Sequence, residues 1–429
     1  MRARETSLFA APLLAAAVPL LAGALLLAAV SSCAAPQRVR PGIEVLLSRR
    51  LDLVRSKRVG LVTNPTGADS KLRSTIDLLA ARPGVRLAAL FGPEHGARGE
   101  AQAGSRVASG TDPRLGIPVF SLYGDTRKPS PEMLLDPDGK GPLDVLVFDI
   151  QDVGTRAYTY ISTLACCLEA CAEAGIECVV LDRPNPLGGI SMEGPVLEYP
   201  EQSSFVGLYP IPARHGMTVG ELALLWNDRF LAKRARLTVV PMDGWRRGMW
   251  FDETGLPWVP PSPNMPTLET AIVYPGQVLL EATNVSEGRG TTKPFELFGA
   301  PWADGRALAE RLNALGLPGA AFREAWFTPA SSKYQGELCG GAQIHVLDRR
   351  AYRAFETTLH AIRALLDLYP ERFEFRAAAF DRLAGTRAVR EALERGEPVE
   401  AIVARLEPAL AEFARRRRPY LLYGSESGK

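Results

Sequence analysis

Four short segments gather the residue types that do acid–base and carboxylate-binding chemistry. They read Asn64-Pro65-Thr66-Gly67, Gly92-Pro93-Glu94-His95-Gly96-Ala97-Arg98-Gly99-Glu100, Gln151-Asp152-Val153-Gly154-Thr155-Arg156 and Asp182-Arg183-Pro184-Asn185-Pro186. Asn, Asp, Gly and Pro form turns without any ligand, so each segment alone is ordinary. Four such turns carrying Glu, His, Asp and three Arg mark a candidate site. A carboxylic acid hemmed by Pro93 and Gly96 and partly desolvated can keep a proton for a leaving group, which makes Glu94 a candidate general acid. Capping a helix or pairing with Arg98 is the alternative, and the residues alone weigh the two equally. His95 orients Glu94, bonds a ligand or fills a polar pocket. Only His95, His215, His345 and His360 exist, with no H-x-x-x-H or H-E-x-x-H spacing, so a metal-free site is expected. No G-x-G-x-x-G follows the first strand and no Walker A sequence occurs, so no nucleotide cofactor is expected. A serine-hydrolase G-x-S-x-G is missing as well.

The segments before these turns are short apolar runs: Arg58 to Thr63, Arg86 to Phe91, Val119 to Tyr123, Asp144 to Ile150 and Glu177 to Leu181. They read as strands buried on both faces, separated by helical stretches such as Ser74 to Ala81 and Tyr158 to Ala174. Thr218 to Asp228 reads as a further helix, with Thr218 and Glu221 spaced as a capping box. The alternation predicts an α/β fold with a mostly parallel sheet. In such sheets ligands bind beyond the carboxyl ends of the strands, where the four turns lie. After about Leu237 the character changes to a proline-rich stretch from Pro257 to Pro266, an apolar-then-polar loop from Tyr274 to Gly290, an aromatic and strand-like stretch from Phe322 to Val346, and Ala/Leu/Arg/Glu-rich helices from Ala351 to Arg418. A second, smaller mixed α+β domain is expected there, with residues 43–235 as the first domain and 236–429 as the second.

The 429 residues carry 50 basic and 48 acidic side chains, 46% hydrophobic and 23% charged residues, and a net charge of +2. That balance excludes extensive disorder and gives no field for nucleic acid. Residues 1–32 stand apart. Arg2 and Arg4 precede an apolar run from Leu8 to Val30, followed by Ser31-Ser32-Cys33. This is the pattern of an export signal, and its end resembles the bacterial lipobox, in which the cysteine is lipidated. Pro12 and Pro19 argue against the competing reading of a membrane-spanning anchor. The expectation is an exported chain, lipid-anchored through Cys33 to a bacterial membrane, with a linker at 33–42. Of the remaining cysteines, Cys166, Cys167, Cys171, Cys178 and Cys339, none has zinc-site spacing. They read as buried small apolar residues, with one disulfide open.

The runs Phe91 to Gly96, Asp149 to Tyr160, Asp182 to Gly189 and Asn284-Val285-Ser286-Glu287-Gly288-Arg289-Gly290-Thr291-Thr292 resemble those of the exo-β-N-acetylmuramidase family, once catalogued as a domain of unknown function. Similarity runs from about residue 43 into the C-terminal region. The resemblance implies a Rossmann-like N-terminal domain, a smaller C-terminal domain and an active site in the cleft between them. The activity it implies is removal of terminal N-acetylmuramic acid from the non-reducing end of peptidoglycan fragments. The family glutamate falls on Glu94.

Glycoside hydrolysis needs a proton for the leaving oxygen and usually a second group to activate water or attack the anomeric carbon. Asp152 and Glu287 are the candidates for that second group, with Asp149 read as buried support and assistance by the substrate's acetamido group left open. Muramic acid carries a lactyl carboxylate, which suits the planar fork of arginine. Arg98, Arg156, Arg183 and Arg289 are the candidates, Arg289 the most accessible by its flanking glycines. Asn64, Gln151, Asn185, Asn264 and Asn284 are candidates for sugar hydroxyls or the acetamido group. The competing functions are a non-catalytic peptidoglycan-binding lipoprotein and another cell-wall hydrolase such as an amidase. The sequence assigns no oligomeric state.

Overall fold

Residues 38–99, 108–139 and 141–424 are described in a computed structural model of the protein. Cys33 and the expected export segment lie outside the described residues. The apolar runs form strands β1 (Arg58–Thr63), β2 (Arg86–Gly92), β3 (Gly110–Thr111), β4 (Pro118–Ser121), β5 (Val145–Asp149) and β6 (Glu177–Leu181). A two-stranded ribbon follows, β7 (Glu193–Val196) with β8 (Pro212–Arg214), and then β9 (Arg236–Val240). The main sheet has the order β3-β4-β2-β1-β5-β6-β9 and is parallel except at β3.

Period-two alternation divides the strand side chains between two cores. Val59, Leu61, Val145, Val147, Val179 and Leu181 pack on α1 (Gly42–Arg49) and α2 (Thr75–Ala80). Val62, Leu146, Phe148, Cys178 and Val180 face α3 (Tyr160–Ala174) and α4 (Val219–Arg229) on the other side. The helices begin where the sequence places their caps. Ser74 accepts from the Ile76 amide at 3.2 Å, and Thr218 and Glu221 close a capping box. Cys166, Cys167 and Cys171 on α3, Cys178 on β6 and Cys339 are all buried free thiols.

The second lobe comprises α5 (Leu268–Gln277), β10 (Leu297–Ala300), α6 (Gly305–Asn313), β11 (Ala320–Phe327), β12 (Cys339–Val346) and five helices. These are α7 (Ala354–Leu368), α8 (Ala377–Ala384), α9 (Ala388–Glu394), α10 (Val399–Ala404) and α11 (Glu407–Arg417). Its sheet is antiparallel, in the order β10-β12-β11.

The division between lobes departs from the expected boundary at 235 in two ways. The strand β9 lies beyond it, yet pairs with β6 from Glu177↔Arg236 to Leu181↔Val240, so the first sheet runs through Val240. The chain end also returns to the first lobe. Arg417 donates to the Gly216 carbonyl at 2.7 Å, the Leu422 amide to Glu221 at 2.8 Å, and the Tyr423 hydroxyl to Asp182 at 2.5 Å. From Val39 onward the chain is one compact unit.

Sheet order locates the ligand crevice. From β1 the chain moves outward through β2 and β4, then crosses back to β5 on the other side of β1 and continues through β6 to β9. The direction reverses around β1, so its neighbouring strand ends diverge and leave a crevice at their carboxyl edge. The turns carrying Asn64, Glu94 and Asp152 leave β1, β2 and β5 at that edge.

Candidate active site

The turn after β2 folds back on its own strand. The Gly96 amide donates to the Pro93 carbonyl at 2.9 Å, and a Cβ at Gly92 would lie 2.7 Å from the Ala97 nitrogen, so only glycine permits this approach. His95 adopts φ 73°, left-handed for a non-glycine residue and a type of strain that clusters at functional sites. Glu94 is half-buried, and its Oε2 accepts from the Thr159 hydroxyl at 3.2 Å. Thr159 sits at the N-terminus of α3, so the helix start and the β2 turn fix each other.

Aromatic rings wall the space around Glu94. Tyr158 meets Tyr160 edge-on at 5.1 Å and Tyr274 at 5.7 Å. Burial holds all three phenols well above their ordinary range, so they stay neutral donors. Tyr160 donates to the Pro261 carbonyl, whereas the buried Tyr158 hydroxyl makes no hydrogen bond of good geometry to any described residue. Burial, reinforced by the Glu94 carboxylate, also raises Tyr123, whose ring carries the Arg127 guanidinium 3.5 Å from its centroid.

The facing wall comes from the second lobe and is an alternating chain of charges. Arg289 Nη2 donates to Glu281 Oε1 at 2.6 Å, and its Nε lies 3.3 Å from Glu287 Oε1. Glu287 Oε2 is 3.0 Å from Lys333 Nζ, which donates to the carbonyls of Leu280 and Val285 at 2.7 and 2.8 Å. Gly290 has φ 78°, and a Cβ there would lie 2.5 Å from Ser331 backbone atoms, so glycine lets the Arg289 loop press against the Ser331 to Lys333 loop. Burial raises the Glu281 carboxyl despite Arg289 and lowers the Lys333 ammonium despite Glu287. Burial disfavours the charged form of Arg289 as well, but the neighbouring Glu281 and Glu287 outweigh it and raise its affinity for the proton.

Two connected spaces result. A cavity of about 150 Å³ is lined by Glu94, His95, Tyr158, Tyr160, Ser262 and Tyr274 among others. An open cleft of about 890 Å³ runs past Asn264, Glu287, Thr291, Ser331, Lys333 and Arg376. Glu94, Tyr123, Glu281 and Arg289 line both spaces and so stand at their junction.

Of the residues singled out from sequence, the structure brings Glu94, His95, Asn264, Glu287 and Arg289 to these spaces. The others bond within the protein. Arg98 pairs with Asp112 at 2.6 Å. Arg156, fully buried, donates to the carbonyls of Pro195, Ile211 and Leu383. Arg183 forks onto Asp149 at 2.6 and 2.9 Å, which confirms Asp149 as buried support. Gln151 bonds the Asp152 and Pro184 carbonyls, and Asn185 bonds the Met217 carbonyl and the Leu187 amide. The Asn64 carbonyl oxygen accepts from Thr66, and Asn284 bridges the Arg372 carbonyl and the Glu374 amide. Asp152 is buried, accepts from the Gly154 amide at 2.6 Å, lies 3.3 Å from His215 Nε2, and lines neither space.

Sequence reasoning passed over Tyr123, Tyr274, Glu281, Lys333 and Arg376. Glu281 ends an apolar stretch beginning at Leu268, and Arg376 stands in a loop with no motif. Only Tyr158 and Thr159 carried a signal, inside the Asp149 to Tyr160 run. Arg376 is exposed at the cleft, and its side chain bonds no described residue. Among the described residues no group of three or more His, Cys, Asp or Glu is placed to hold a metal ion.

Residues 59–269 match the family model for exo-β-N-acetylmuramidase NamZ, N-terminal, and residues 272–423 match its C-terminal counterpart. The chain is 54% identical over 387 residues to the peptidoglycan β-N-acetylmuramidase NamZ of Bacillus subtilis (strain 168), covering 90% of this chain and 92% of that protein. Two crystal structures of DUF1343 family proteins from Bacteroides fragilis NCTC 9343 share the fold. One is 42% identical with a TM-score of 0.83 and the other 32% identical with a TM-score of 0.72, each covering 90% of this chain and 99% of its own. With both halves matched in order and more than half of the aligned residues shared with a relative of nearly equal length, the chain belongs to the exo-β-N-acetylmuramidase NamZ family.

Proposed function

We propose that the protein is an exo-acting glycoside hydrolase that releases terminal N-acetylmuramic acid from the non-reducing end of peptidoglycan fragments. One observation carries the reading: Glu94 stands where a tyrosine-walled cavity meets an open cleft. A terminal sugar in the cavity and the remaining saccharide in the cleft put the scissile bond beside Glu94. A small cavity of about 150 Å³ beside a larger open cleft suits cleavage from a chain end.

Glu94 gives its proton to the glycosidic oxygen as the bond to the anomeric carbon breaks. The Thr159 hydroxyl bonds one carboxyl oxygen and orients the other. Tyr158 offers a buried, neutral hydroxyl to the sugar. The lactyl arm of the terminal sugar reaches from the cavity across the junction to Arg376 on the cleft side, since Arg289 already bonds Glu281 and Glu287. Export and a lipid anchor at Cys33 complete the proposal and would place the enzyme beside the cell wall. The test is incubation of the soluble mature chain with a chromogenic β-N-acetylmuramide and, as control, the matching N-acetylglucosaminide. Release from the muramide alone is expected, and release from neither overturns the assignment.

A further inference from the structure

The second carboxylate of the reaction can be found by elimination. Asp152 lines neither the cavity nor the cleft; its Oδ2 accepts from the Gly154 amide and lies 3.3 Å from His215 Nε2, and its buried Oδ1 faces no opening to either space. Glu287 touches only the open cleft, keeps 3% of its side chain exposed, and has Arg289 against one oxygen and Lys333 against the other. Among the described carboxylates only Glu281 lines both spaces together with Glu94. Its side chain keeps 29% exposure, and only Oε1 is tied, to Arg289. No described side chain bonds Oε2, which is left free at the junction.

We infer that Glu281 is the base that activates the attacking water. The inference rests on the reading of Glu94 as the acid. The two carboxyls come from different lobes, Glu94 from the turn after β2 and Glu281 from the short 3₁₀ turn Val278–Ala282 after α5, and both line the cavity and the cleft. In the inferred complex the saccharide lies between them. In the step, the water oxygen bonds to the anomeric carbon and Glu281 Oε2 takes the water's proton. The carbon–oxygen bond to the leaving sugar breaks with both electrons going to oxygen, and Glu94 supplies that oxygen's proton. One water is consumed, and the two carboxyls return to their starting forms by exchange with solvent. Arg289 is then a positioning residue. It fixes Oε1 of Glu281 and is itself braced by Glu287, 3.3 Å away, and by the Phe295 ring centroid, 5.0 Å away. Partial burial raises the affinity of Glu281 for a proton, which makes it a stronger base than an exposed glutamate, and Arg289 opposes that rise.

The experiment uses the soluble mature chain, a muramide with a good leaving group, and the variants Glu281→Gln and Glu281→Ala. Both should lower kcat by about 10²–10⁴-fold with little change in KM. Sodium azide, which attacks without needing a base, should restore at least tenfold of the rate to Glu281→Ala and yield the α-glycosyl azide. Wild type should release the α-anomer first, followed by NMR before mutarotation. Glu281→Gln keeps the contact with Arg289, so it tests the chemistry even if Glu281→Ala folds poorly. Near-normal kcat in Glu281→Gln, no azide rescue in folded Glu281→Ala, or initial release of the β-anomer overturns the inference. Each of these outcomes requires wild-type turnover, so an inactive wild type indicts the hydrolase reading instead.

Discussion

Specificity for muramic acid should depend on Arg376, and the size of its effect can be worked out from its surroundings. Arg376 lines the cleft with its guanidinium bonded to no described residue, so substrate binding need not break an existing pair. A hydrogen bond to a charged group contributes about 1.5–3 kcal/mol when desolvated, but this residue is exposed and part of the gain is lost to water. A discounted value of about 1–2 kcal/mol corresponds to roughly 5–30-fold in kcat/KM. Arg376→Ala should therefore lower kcat/KM on muramides by that factor, chiefly through KM, and Arg376→Lys should recover only part of it because the planar fork is gone. Any activity on the glucosaminide, which lacks the carboxylate, should be unchanged. The assay is initial-rate kinetics on the two chromogenic sugars with both variants. Equal losses on both sugars, or no loss on either, would refute the assignment.

Glu94→Gln should stay folded, bind muramide and lose about 10²–10⁴-fold in kcat on a natural disaccharide, with less loss on a nitrophenyl glycoside that needs little protonation; normal turnover of both removes Glu94 from the mechanism. Arg183→Met leaves Asp149 buried without its cation and should cost roughly 3–5 kcal/mol in denaturant unfolding, whereas unchanged stability with a raised KM would return Arg183 to the substrate. Burial, with Glu221 nearby, raises Asp182 to about 6, so the folded protein holds this proton more tightly than the unfolded chain, whose aspartate titrates near 3.8. Its contribution to stability is then full below about pH 4 and lost as pH rises to 6, by roughly 2–3 kcal/mol; unfolding at pH 4, 5 and 6 should show wild type losing stability relative to Asp182→Asn, and parallel profiles would contradict this. Cys33→Ala should release the protein from membranes or leave it unprocessed, and fractionation showing processed, membrane-bound variant would exclude lipidation.

The strands and turns of the first lobe were legible because burial on both sheet faces writes unbroken apolar runs and the turns after them need Gly and Pro. The location of the site followed from those turns. Which polar groups reach a ligand was not legible. Arg98, Arg156 and Arg183 occupy the same kind of Gly- and Pro-flanked loop as a ligand-binding arginine would, but their partners Asp112, Leu383 and Asp149 come from other parts of the chain. Residue type reports that a cation is needed, and only tertiary contact reports by whom. Glu281 was hidden for the opposite reason: it falls where the stretch from Tyr274 to Gly290 turns from apolar to polar, which reads as an ordinary loop, whereas the chain there continues α5 into a 3₁₀ turn, with Pro275 and Gly276 inside the helix masking its pattern. The lobe boundary was misplaced by one strand because β9 is an edge strand whose Arg236 to Val239 are only partly covered, weakening the pattern that identified its neighbours.

The return of the chain end to the first lobe has a consequence for biosynthesis. Asp182 and Glu221, both fully buried, receive bonds from Tyr423 and Leu422, so the carboxyl edge of β6 and the start of α4 stay incomplete until residues 422 and 423 have been made. Arg156 likewise needs the Leu383 carbonyl, supplied more than two hundred residues later. A nascent chain can collapse its first sheet early, but it cannot finish that sheet's polar interior until those residues have emerged. A chain cut short before Leu383 is therefore defective in both lobes, with buried carboxylates and a buried guanidinium left without their partners in the first.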